Sequence, residues 1–359
     1  MPTSSGPSTR WSRSHSKSPS TKARACTASA PLPPRLPEPQ LRGVIVNPAS
    51  GGGRTRDRWH RIVHALETGV GGAPVEVVLT RRAGHATELA RAMVSDGVRD
   101  IVVLGGDGTI GEVVAGLVRT DGSGMVDATV RVAIIHQGTG GDLVRGLDIP
   151  TDTTAAVDVA LNGVPRIIDV GVARYSVAGS DQRVVRGFVT CANVGMAHEV
   201  VTRVTGRLKR LGRRGAFTVA TLACLAHNHP RWAHVTTDEG IDEDVALTDI
   251  ILSNNRFMGG GMLVAPDALL DDGLFDLVMI GAARRSHLMR VFPRIYAGGH
   301  VRDHAVRIER TRHVEIATVP GRAPEGVVLD GEPLGQTPAS FTMIPAALQV
   351  LVPASPARV

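Results

Sequence analysis

Aromatic residues, cysteines and long apolar runs are all scarce in this 359-residue sequence. Its 3 Trp, 2 Tyr and 6 Phe make up 3% of the chain. That leaves few rings for stacking nucleic-acid bases, so we expect no nucleic-acid partner. The three cysteines, Cys26, Cys191 and Cys224, form no CxxC pair, which argues against a disulfide framework or a thiolate zinc site and favours a reducing compartment. No apolar run approaches the roughly 18–20 residues of a membrane-spanning helix. We therefore expect a cytoplasmic protein, which leaves peripheral contact with a membrane open.

Acidic residues are almost absent from the first 40 positions. This segment has six Lys and Arg residues against the single acid Glu38, so it holds five of the six net positive charges of the chain. The remainder is nearly neutral and does not favour a basic nucleic-acid face. Because residues 1–40 are rich in Ser and Pro and poor in large aliphatic side chains, they cannot offset the entropy lost on ordering. We predict a disordered basic tail over 1–40.

Strands and helices alternate between residues 41 and 168. Apolar runs predict strands at 44–46, 75–79, 101–104 and 132–135, and helical spacing predicts helices around 59–66, 86–95 and 110–118. Short glycine turns connect them. This pattern predicts a doubly wound, mostly parallel α/β domain over 41–168, which would bind its ligand at the carboxyl ends of the strands.

The pattern changes after Asp169, where short β-rich runs dominate. We predict strands at 184–194, 232–237, 245–252, 274–280, 305–309, 313–317, 326–330 and 348–352, and one helix at 215–227. Residues 169–345 are therefore expected to form an antiparallel β domain. We expect the segment 346–359 to return to the first domain.

Three glycine-rich loops follow three of the predicted strands, at Asn47–Gly53, Gly105–Gly111 and His136–Asp142. Glycine lets backbone N–H groups approach phosphate oxygens, and a helix that starts after each loop would direct its positive end to the same place. Asp107 and Asp142 could attract a cation such as the Mg²⁺ carried by a nucleotide. Neither a P-loop nor a Rossmann fingerprint is present. The loops predict a phosphate site of another kind, although glycine turns can also serve only to connect strands and helices.

The second loop, Gly105–Thr109, reads GGDGT and resembles the signature shared by diacylglycerol, sphingosine and NAD kinases and phosphofructokinases. Further matches narrow the resemblance to the diacylglycerol kinase catalytic-domain family, including its soluble bacterial lipid kinases. They are NPASG at Asn47–Gly51, GTGGD at Gly138–Asp142, DGE at Asp330–Glu332, and the segment 265–276 with its Asp-Asp-Gly turn. In this order the motifs are specific, and they span residues 41 to about 352.

The resemblance implies a lipid kinase with ATP and Mg²⁺ as cofactors and a C-terminal β-sandwich that binds the lipid. It implies Glu332 as the general base and Asp107 as a residue that organises Mg·ATP or shares the base role. Asp330 would support Glu332 or the metal. The implied nucleotide contacts are Asn47, Pro48, Ala49, Ser50, Gly51, Thr80, Gly105, Gly106, Asp107, Gly108, Thr109, Ile110, Gly111, Thr139 and Asp142.

The resemblance also implies a structural Mg²⁺ site in the second domain. Its ligands would be the Asp272 carboxylate and the backbone carbonyls of Leu269 and Leu274, with water completing the shell. From the residues alone, the segment is an ordinary Asp-Asp-Gly turn between strands.

The sequence departs from the family pattern in three places. His136-Gln137 replaces the usual Pro before the third motif, and Gly141 and Gly111 each stand where the family usually has Asn. Glu112 and Asp142 are retained. These departures keep a catalytically silent nucleotide- or lipid-binding protein among the alternatives.

A basic cluster precedes the predicted apolar helix of the second half. It consists of Arg203, Arg207, Lys209, Arg210, Arg213 and Arg214. Cationic groups beside an apolar helix suit docking on an anionic membrane, although a solvated loop beside a core helix would look the same. The expected partner is a diacylglycerol-like membrane lipid, and a homodimer is allowed. A sphingoid base, an acylglycerol or NAD stays open as the phosphate acceptor.

Overall fold

The computed structural model describes residues 42–71, 75–180, 182–204, 212–227 and 229–354. The predicted tail 1–40 lies outside the described residues, as does the end of the segment 346–359. The helices are α1 Thr55–Gly69, α2 His85–Ser95, α3 Asp107–Leu117, α4 Asp142–Gly146, α5 Thr153–Asn162, α6 Met196–Arg203, α7 Gly212–Ala226 and α8 Arg285–Val291. Short 3-10 turns are at Ser50–Gly53, Phe292–Ala297 and Gly299–Arg302. Among the described residues, no helix has the length and apolar character needed to cross a membrane.

The strands are β1 Arg42–Val46, β2 Val75–Leu79, β3 Asp100–Gly105, β4 Arg131–His136, β5 Val164–Ser176, β6 Arg183–Phe188, β7 Cys191–Gly195, β8 Arg231–Thr237, β9 Asp242–Ser253, β10 Phe257–Met258, β11 Met262–Leu263, β12 Phe275–Gly281, β13 Val306–Thr311, β14 His313–Thr318, β15 Gly326–Leu329 and β16 Glu332–Val352. All four strands predicted before residue 168 are present, each within three residues of its predicted ends.

The first region of the molecule, which contains β1–β4, is a parallel sheet covered by helices on both faces. Its strands lie in the order β4-β3-β1-β2 and are parallel to one another. Successive side chains of a strand point to opposite faces. Val44 and Val46 accordingly share an apolar cluster with α1 and α5, while Ile45 between them belongs to the cluster of α2 and α3. Because the strands are parallel, the carboxyl ends of β1, β3 and β4, and the loops that follow them, lie at one edge of the sheet.

The second region is antiparallel, and six of its strands close into a circuit. β7 pairs with β9 and β15, β16 pairs with β15 and β14, and β8 pairs with β14 and β9. The circuit encloses an apolar core in which Phe188, Phe275 and Phe341 are fully buried. The predicted helix at 215–227 corresponds to α7.

Two long strands belong to both regions. β5 and β16 pair antiparallel along most of their length, and β16 also adds parallel to β4 through Gln349 and Val350. The predicted domain boundary at 168/169 lies inside β5. The division of the chain into two domains stays a prediction, because the hydrogen-bonded ladder continues across that position.

Two sequence-based predictions of elements differ from the structure. The strand predicted at 184–194 is interrupted at Val189 and Thr190, whose amide groups donate to the Asp330 carboxylate instead of to a neighbouring strand. The helices expected to start after the second and third loops begin inside those loops, at Asp107 and at Asp142. An acidic side chain in the first turn of a helix is stabilised by the partial positive charge there.

Candidate active site

The loop after β1 is held by its own polar groups and tied to the loop after β3. Asn47 Nδ2 donates to Thr109 Oγ1 at 2.8 Å, while its Oδ1 accepts from Ala49 N at 3.0 Å. The Ser50 hydroxyl donates to the Asn47 carbonyl at 2.8 Å and lies 2.7 Å from Thr55 Oγ1. Gly51 has a φ of +61° and approaches so closely that a Cβ there would lie 2.5 Å from the Gln137 carbonyl oxygen. The three predicted loops therefore converge.

The loop after β3 places a carboxylate where the loops meet. Asp107 is the first residue of α3, and its side chain is 8% exposed. Its two carboxylate oxygens accept from the Gly141 N–H of the third loop at 3.2 and 3.0 Å. A Cβ at Gly106 would lie 3.3 Å from Gly138 Cα. The absence of a side chain at Gly106 therefore lets the second and third loops approach each other. Asp107 therefore lies between two loops at the carboxyl edge of the sheet.

Other predicted nucleotide contacts have different surroundings. Thr139 is exposed, and Pro48 and Thr80 are partly exposed. The side chain of Ile110 is buried in the core, and its N–H donates to the Gly106 carbonyl. Asp142 is 2% exposed, and its carboxylate accepts from Gly260 N at 2.8 Å and from Arg145 at 3.1 Å. In this arrangement Asp142 ties the third loop to the second region.

Glu332, the predicted base, lies at the start of β16 and faces the GGDGT loop. Its Oε1 would lie 3.1 Å from a Cβ at Gly108, and its Oε2 accepts from Arg186 Nη2 at 2.6 Å. Burial raises the pKa of Glu332 above the usual range of a glutamate. Arg186 opposes this rise, and the nearby carboxylates of Glu112 and Asp330 add to it. The structure thus brings Glu332 and the loop of Asp107 together.

Asp330 is half-buried, and its side chain accepts hydrogen bonds from the backbone of a neighbouring segment. Its carboxylate accepts from the amides of Val189, Thr190 and Cys191 at 3.0, 2.7 and 3.2 Å. Burial raises the pKa of Asp330, while these three hydrogen bonds lower it. A Cβ at Gly111 would lie 3.0 Å from Asp330 Oδ2. The glycine at 111 therefore leaves the space that the Asp330 carboxylate fills.

A cavity of about 120 Å³ joins this polar edge to an apolar interior. Asp107, Asp142 and Asp330 contribute to its lining. The remaining wall is largely apolar, and part of it comes from α6, α7, α8 and the turn that follows α8. These elements contribute Met196, Val200, Phe217, Leu225, Leu288 and Phe292. Such a cavity can hold a hydrocarbon chain whose polar end reaches the second and third loops.

The wall also contains one carboxyl group deep among apolar residues. Asp249 is 5% exposed, accepts from Ala197 N at 3.1 Å and from Asn193 Nδ2 at 3.3 Å, and lines the cavity. Burial raises the pKa of Asp249 to about 7. Neither Asp249 nor Arg186 was predicted as a site residue. Both lie within strands of the second region, with no glycine motif beside them to mark a function.

The predicted structural metal site is engaged in protein contacts. Asp272 Oδ1 accepts from Leu274 N at 3.0 Å, and Asp272 Oδ2 forms an ion pair with Arg310. The Leu269 side chain is 51% exposed. The ligand set Leu269, Asp272 and Leu274 stays a prediction.

The predicted basic cluster falls mostly outside the part of the chain that the structure describes. Arg207, Lys209 and Arg210 lie outside the described residues, and so do the side chains of Arg213 and Arg214. Arg203 ends α6, where its guanidinium lies 3.8 Å from a Glu199 carboxylate oxygen.

Comparisons with known proteins agree with the resemblance. Residues 42–173 match the family described as diacylglycerol kinase catalytic domain, and residues 191–352 match the YegS C-terminal NAD kinase beta sandwich-like domain. A diacylglycerol kinase of Mycobacterium tuberculosis is 32% identical over 313 residues, covering 86% of this chain and 94% of that protein. A protein of Shewanella frigidimarina named "Probable lipid kinase YegS-like" is 26% identical over 283 residues, covering 79% and 85% of the two chains.

A solved structure confirms the predicted fold class of an α/β region followed by a β-sandwich-like region. It is described as a diacylglycerol kinase from Bacillus anthracis and superposes with a TM-score of 0.63 at 19% identity. The superposition covers 89% of this chain and 98% of that one.

Proposed function

Because this chain belongs to the diacylglycerol kinase family and is a lipid kinase, we propose that it transfers the γ-phosphate of ATP to the hydroxyl of diacylglycerol or a similar lipid, giving phosphatidic acid or an analogous lipid phosphate. The observation that supports this proposal most is the cavity that runs from Asp107 and Asp330 to an apolar wall. A lipid kinase must bring a phosphate donor and a hydrocarbon chain to one place. A sphingoid base or an acylglycerol is the alternative acceptor, since the name of the Shewanella relative specifies only a lipid kinase.

In the proposed reaction Glu332 accepts the proton of the lipid hydroxyl. The hydroxyl oxygen bonds to the γ-phosphorus, the bond between that phosphorus and the bridging oxygen breaks, and ADP leaves. A primary alcohol is a poor nucleophile until a base takes its proton. Burial, which raises the pKa of Glu332, makes its carboxylate a better proton acceptor. The ion pair with Arg186 would keep the carboxylate ionised and oriented before the lipid arrives.

The residues at the carboxyl edge of the sheet fit Mg·ATP. Gly51 and Gly52 both have left-handed backbone conformations, and no atom of the described residues lies within 4 Å of a Cβ placed at Gly52, which leaves room for a phosphate beside this loop. The Asp107 carboxylate is the hard oxygen ligand that Mg²⁺ prefers. When bound, Mg²⁺ would neutralise charge on the phosphates. In the proposal, Asp107 holds the cation and the glycine loops hold the phosphates, while the hydrogen bond between Asn47 and Thr109 keeps two of these loops in register.

The experiment that tests this function is phosphate transfer from γ-labelled ATP to lipids in mixed micelles. The panel contains diacylglycerol, monoacylglycerol and sphingosine, with NAD as a non-lipid acceptor and Glu332→Gln as the inactive control. We expect diacylglycerol to be phosphorylated fastest. Labelling of NAD without labelling of any lipid would overturn the proposal, and preference for sphingosine or monoacylglycerol would replace diacylglycerol by that acceptor.

We further propose that the outer faces of α7 and α8 contact an anionic membrane. The two helices pack together through Leu225 and Leu288. Their outer faces expose Val219, at 44%, and Met289, at 40%. Arg284, Arg285 and Arg290 are exposed around Met289. Apolar side chains beside cations suit the surface of an anionic bilayer, and the apolar cavity lies directly beneath these helices.

Vesicle sedimentation tests this surface. Val219→Asp combined with Met289→Asp should weaken binding to vesicles that contain phosphatidylserine by at least about tenfold, because each change replaces apolar contact with charge repulsion. Leu79→Asp is the matched control, since Leu79 is 39% exposed but lies in the first region. If the double variant binds these vesicles as tightly as the control, the helices have no membrane role.

A further inference from the structure

The imidazole of His136 lies beside the Asp107 carboxylate, although the two residues belong to different loops. His136 ends β4, and its Nε2 is 3.6 Å from Asp107 Oδ1, with the side chains 5% and 8% exposed. Within the described part of the chain, this Nε2 has no hydrogen-bond partner. Buried polar atoms are nearly always hydrogen-bonded, because burial removes their water. The ring nitrogen therefore points to a role at the carboxylate it faces.

Two glycines leave the space that this ring occupies. A Cβ at Gly138 would lie 2.8 Å from His136 Nε2, and a Cβ at Gly141 would lie 3.3 Å from His136 Cε1. Gly141 has a φ of +75°, and its N–H already donates to Asp107. The two departures from the family pattern in this loop, at 136 and 141, are thus linked, because the glycine at one position admits the imidazole from the other.

We propose that His136 is a positioning residue that, with the Gly141 N–H, fixes the Asp107 carboxylate in the orientation that binds Mg·ATP. A movement of less than about 1 Å brings His136 Nε2 within hydrogen-bond distance of Asp107 Oδ1. A ring N–H that donates there holds the carboxylate in one rotamer. Groups that orient a metal-binding carboxylate in this way typically contribute 10- to 100-fold in metal affinity or activity. The inference rests on the proposed function, since it assigns the cation to Asp107.

A matched pair of variants isolates the hydrogen bond from the packing. Glutamine has nearly the reach of histidine and keeps an N–H donor, while methionine has the same length without the donor. With a non-hydrolysable ATP analogue present, we expect the apparent Kd for Mg²⁺ by calorimetry to rise about tenfold in His136→Met and to stay within about twofold in His136→Gln. Thermal melts accompany both variants. A lower Tm with an unchanged Mg²⁺ affinity would show a merely structural role and overturn the proposal.

A double-mutant cycle with Asp107→Asn tests whether His136 acts through Asp107. On that background His136→Met should change the Mg²⁺ affinity little, because the carboxylate it positions is gone. Equal losses on both backgrounds would overturn the proposal. If His136→Met does not fold, His136→Asn replaces it, since its shorter amide cannot reach Asp107 and should produce the same loss.

The same titrations separate the two proposals. A wild-type protein that binds Mg²⁺ with the nucleotide analogue but phosphorylates no lipid would refute the proposed function and leave the role of His136 intact. A wild-type protein that binds no Mg²⁺ with the nucleotide would refute both.

Discussion

The two ends of the cavity are held together by different kinds of contact. At the polar end, three loops at the ends of parallel strands are fixed by directional hydrogen bonds, such as those from Asn47 to Thr109 and from Gly141 to Asp107. At the apolar end, Val200, Phe217 and Leu288 come from three helices that touch mainly through alkyl and aromatic groups. Directional bonds select one geometry, whereas apolar contact selects mainly for area and shape. A change at one end should therefore leave binding at the other end intact.

Glu332→Gln should have the largest effect, a loss of catalysis without a loss of binding. Glutamine keeps the shape of the side chain but removes the proton acceptor, so we expect kcat to fall by about 10²–10⁴. The Kd values for the nucleotide and for the lipid should stay near those of the wild type. Single-turnover kinetics with equilibrium binding measures all three quantities, and a wild-type kcat would reject Glu332 as the base.

Filling the apolar end of the cavity should raise KM for the lipid without changing KM for ATP. Val200→Phe places a ring in the cavity, so KM for a long-chain diacylglycerol should rise by about tenfold, a loss on the scale of one or two buried methylene groups. The KM for ATP should not change. A short-chain diacylglycerol that does not reach α6 is the control substrate, and an equal rise in KM for both lipids would show that Val200 does not line the path of the chain.

Arg186→Met should shift the pH dependence of kcat. Arg186 lowers the pKa of Glu332, so removing the guanidinium lets that pKa rise further. The base is active only when ionised, and the acid limb of the profile should therefore move to higher pH. Arg186→Lys keeps a cation and should keep the profile near that of the wild type. If the acid limb of Arg186→Met stays in place or moves to lower pH, the acid limb does not report Glu332.

The smallest effect is expected at Gly111. Alanine normally stabilises the interior of a helix by about 1 kcal/mol relative to glycine. Here the new Cβ would lie 3.0 Å from Oδ2 of the Asp330 carboxylate, a group that three amides hold in place. Overpacking against a group that cannot move costs about 1–3 kcal/mol, so we expect Gly111→Ala to lower Tm by roughly 2–4 °C. An increase in Tm would show that the Asp330 side chain moves to accommodate the new methyl group.

The polar end could be predicted from the sequence because a parallel sheet gathers the ends of its strands. Each glycine loop follows its strand directly, so contiguous residues reveal both the element and the site. Even there the sequence did not indicate that Asp142 faces the second region, or that His136 faces Asp107. Those contacts depend on how the loops pack against one another.

The rest of the site could not be predicted, because its contacts join distant residues. Arg186 reaches Glu332 across 146 positions from within β6, where no local pattern distinguishes it from any other arginine of a strand. The helices α5 and α6 also escaped prediction. Each has ten residues or fewer, and both depend on packing against the sheet rather than on strong helical signals.

The strand pair β5–β16 has a mechanical consequence. Both strands run through the two regions. Any hinge motion between those regions would therefore have to bend the β5–β16 pair. Its weakest point is the register shift between Ile344 and Leu348, where Ala346 has a φ of +50°. Asp169 braces that point by accepting from the Ala346 and Gly273 amides, each at 2.6 Å. On the proposed function, we therefore expect lipid and product to exchange past α6–α8 rather than through bending of the β5–β16 pair. A crosslink between α7 and α8 should then slow turnover far more than a crosslink between β5 and β16.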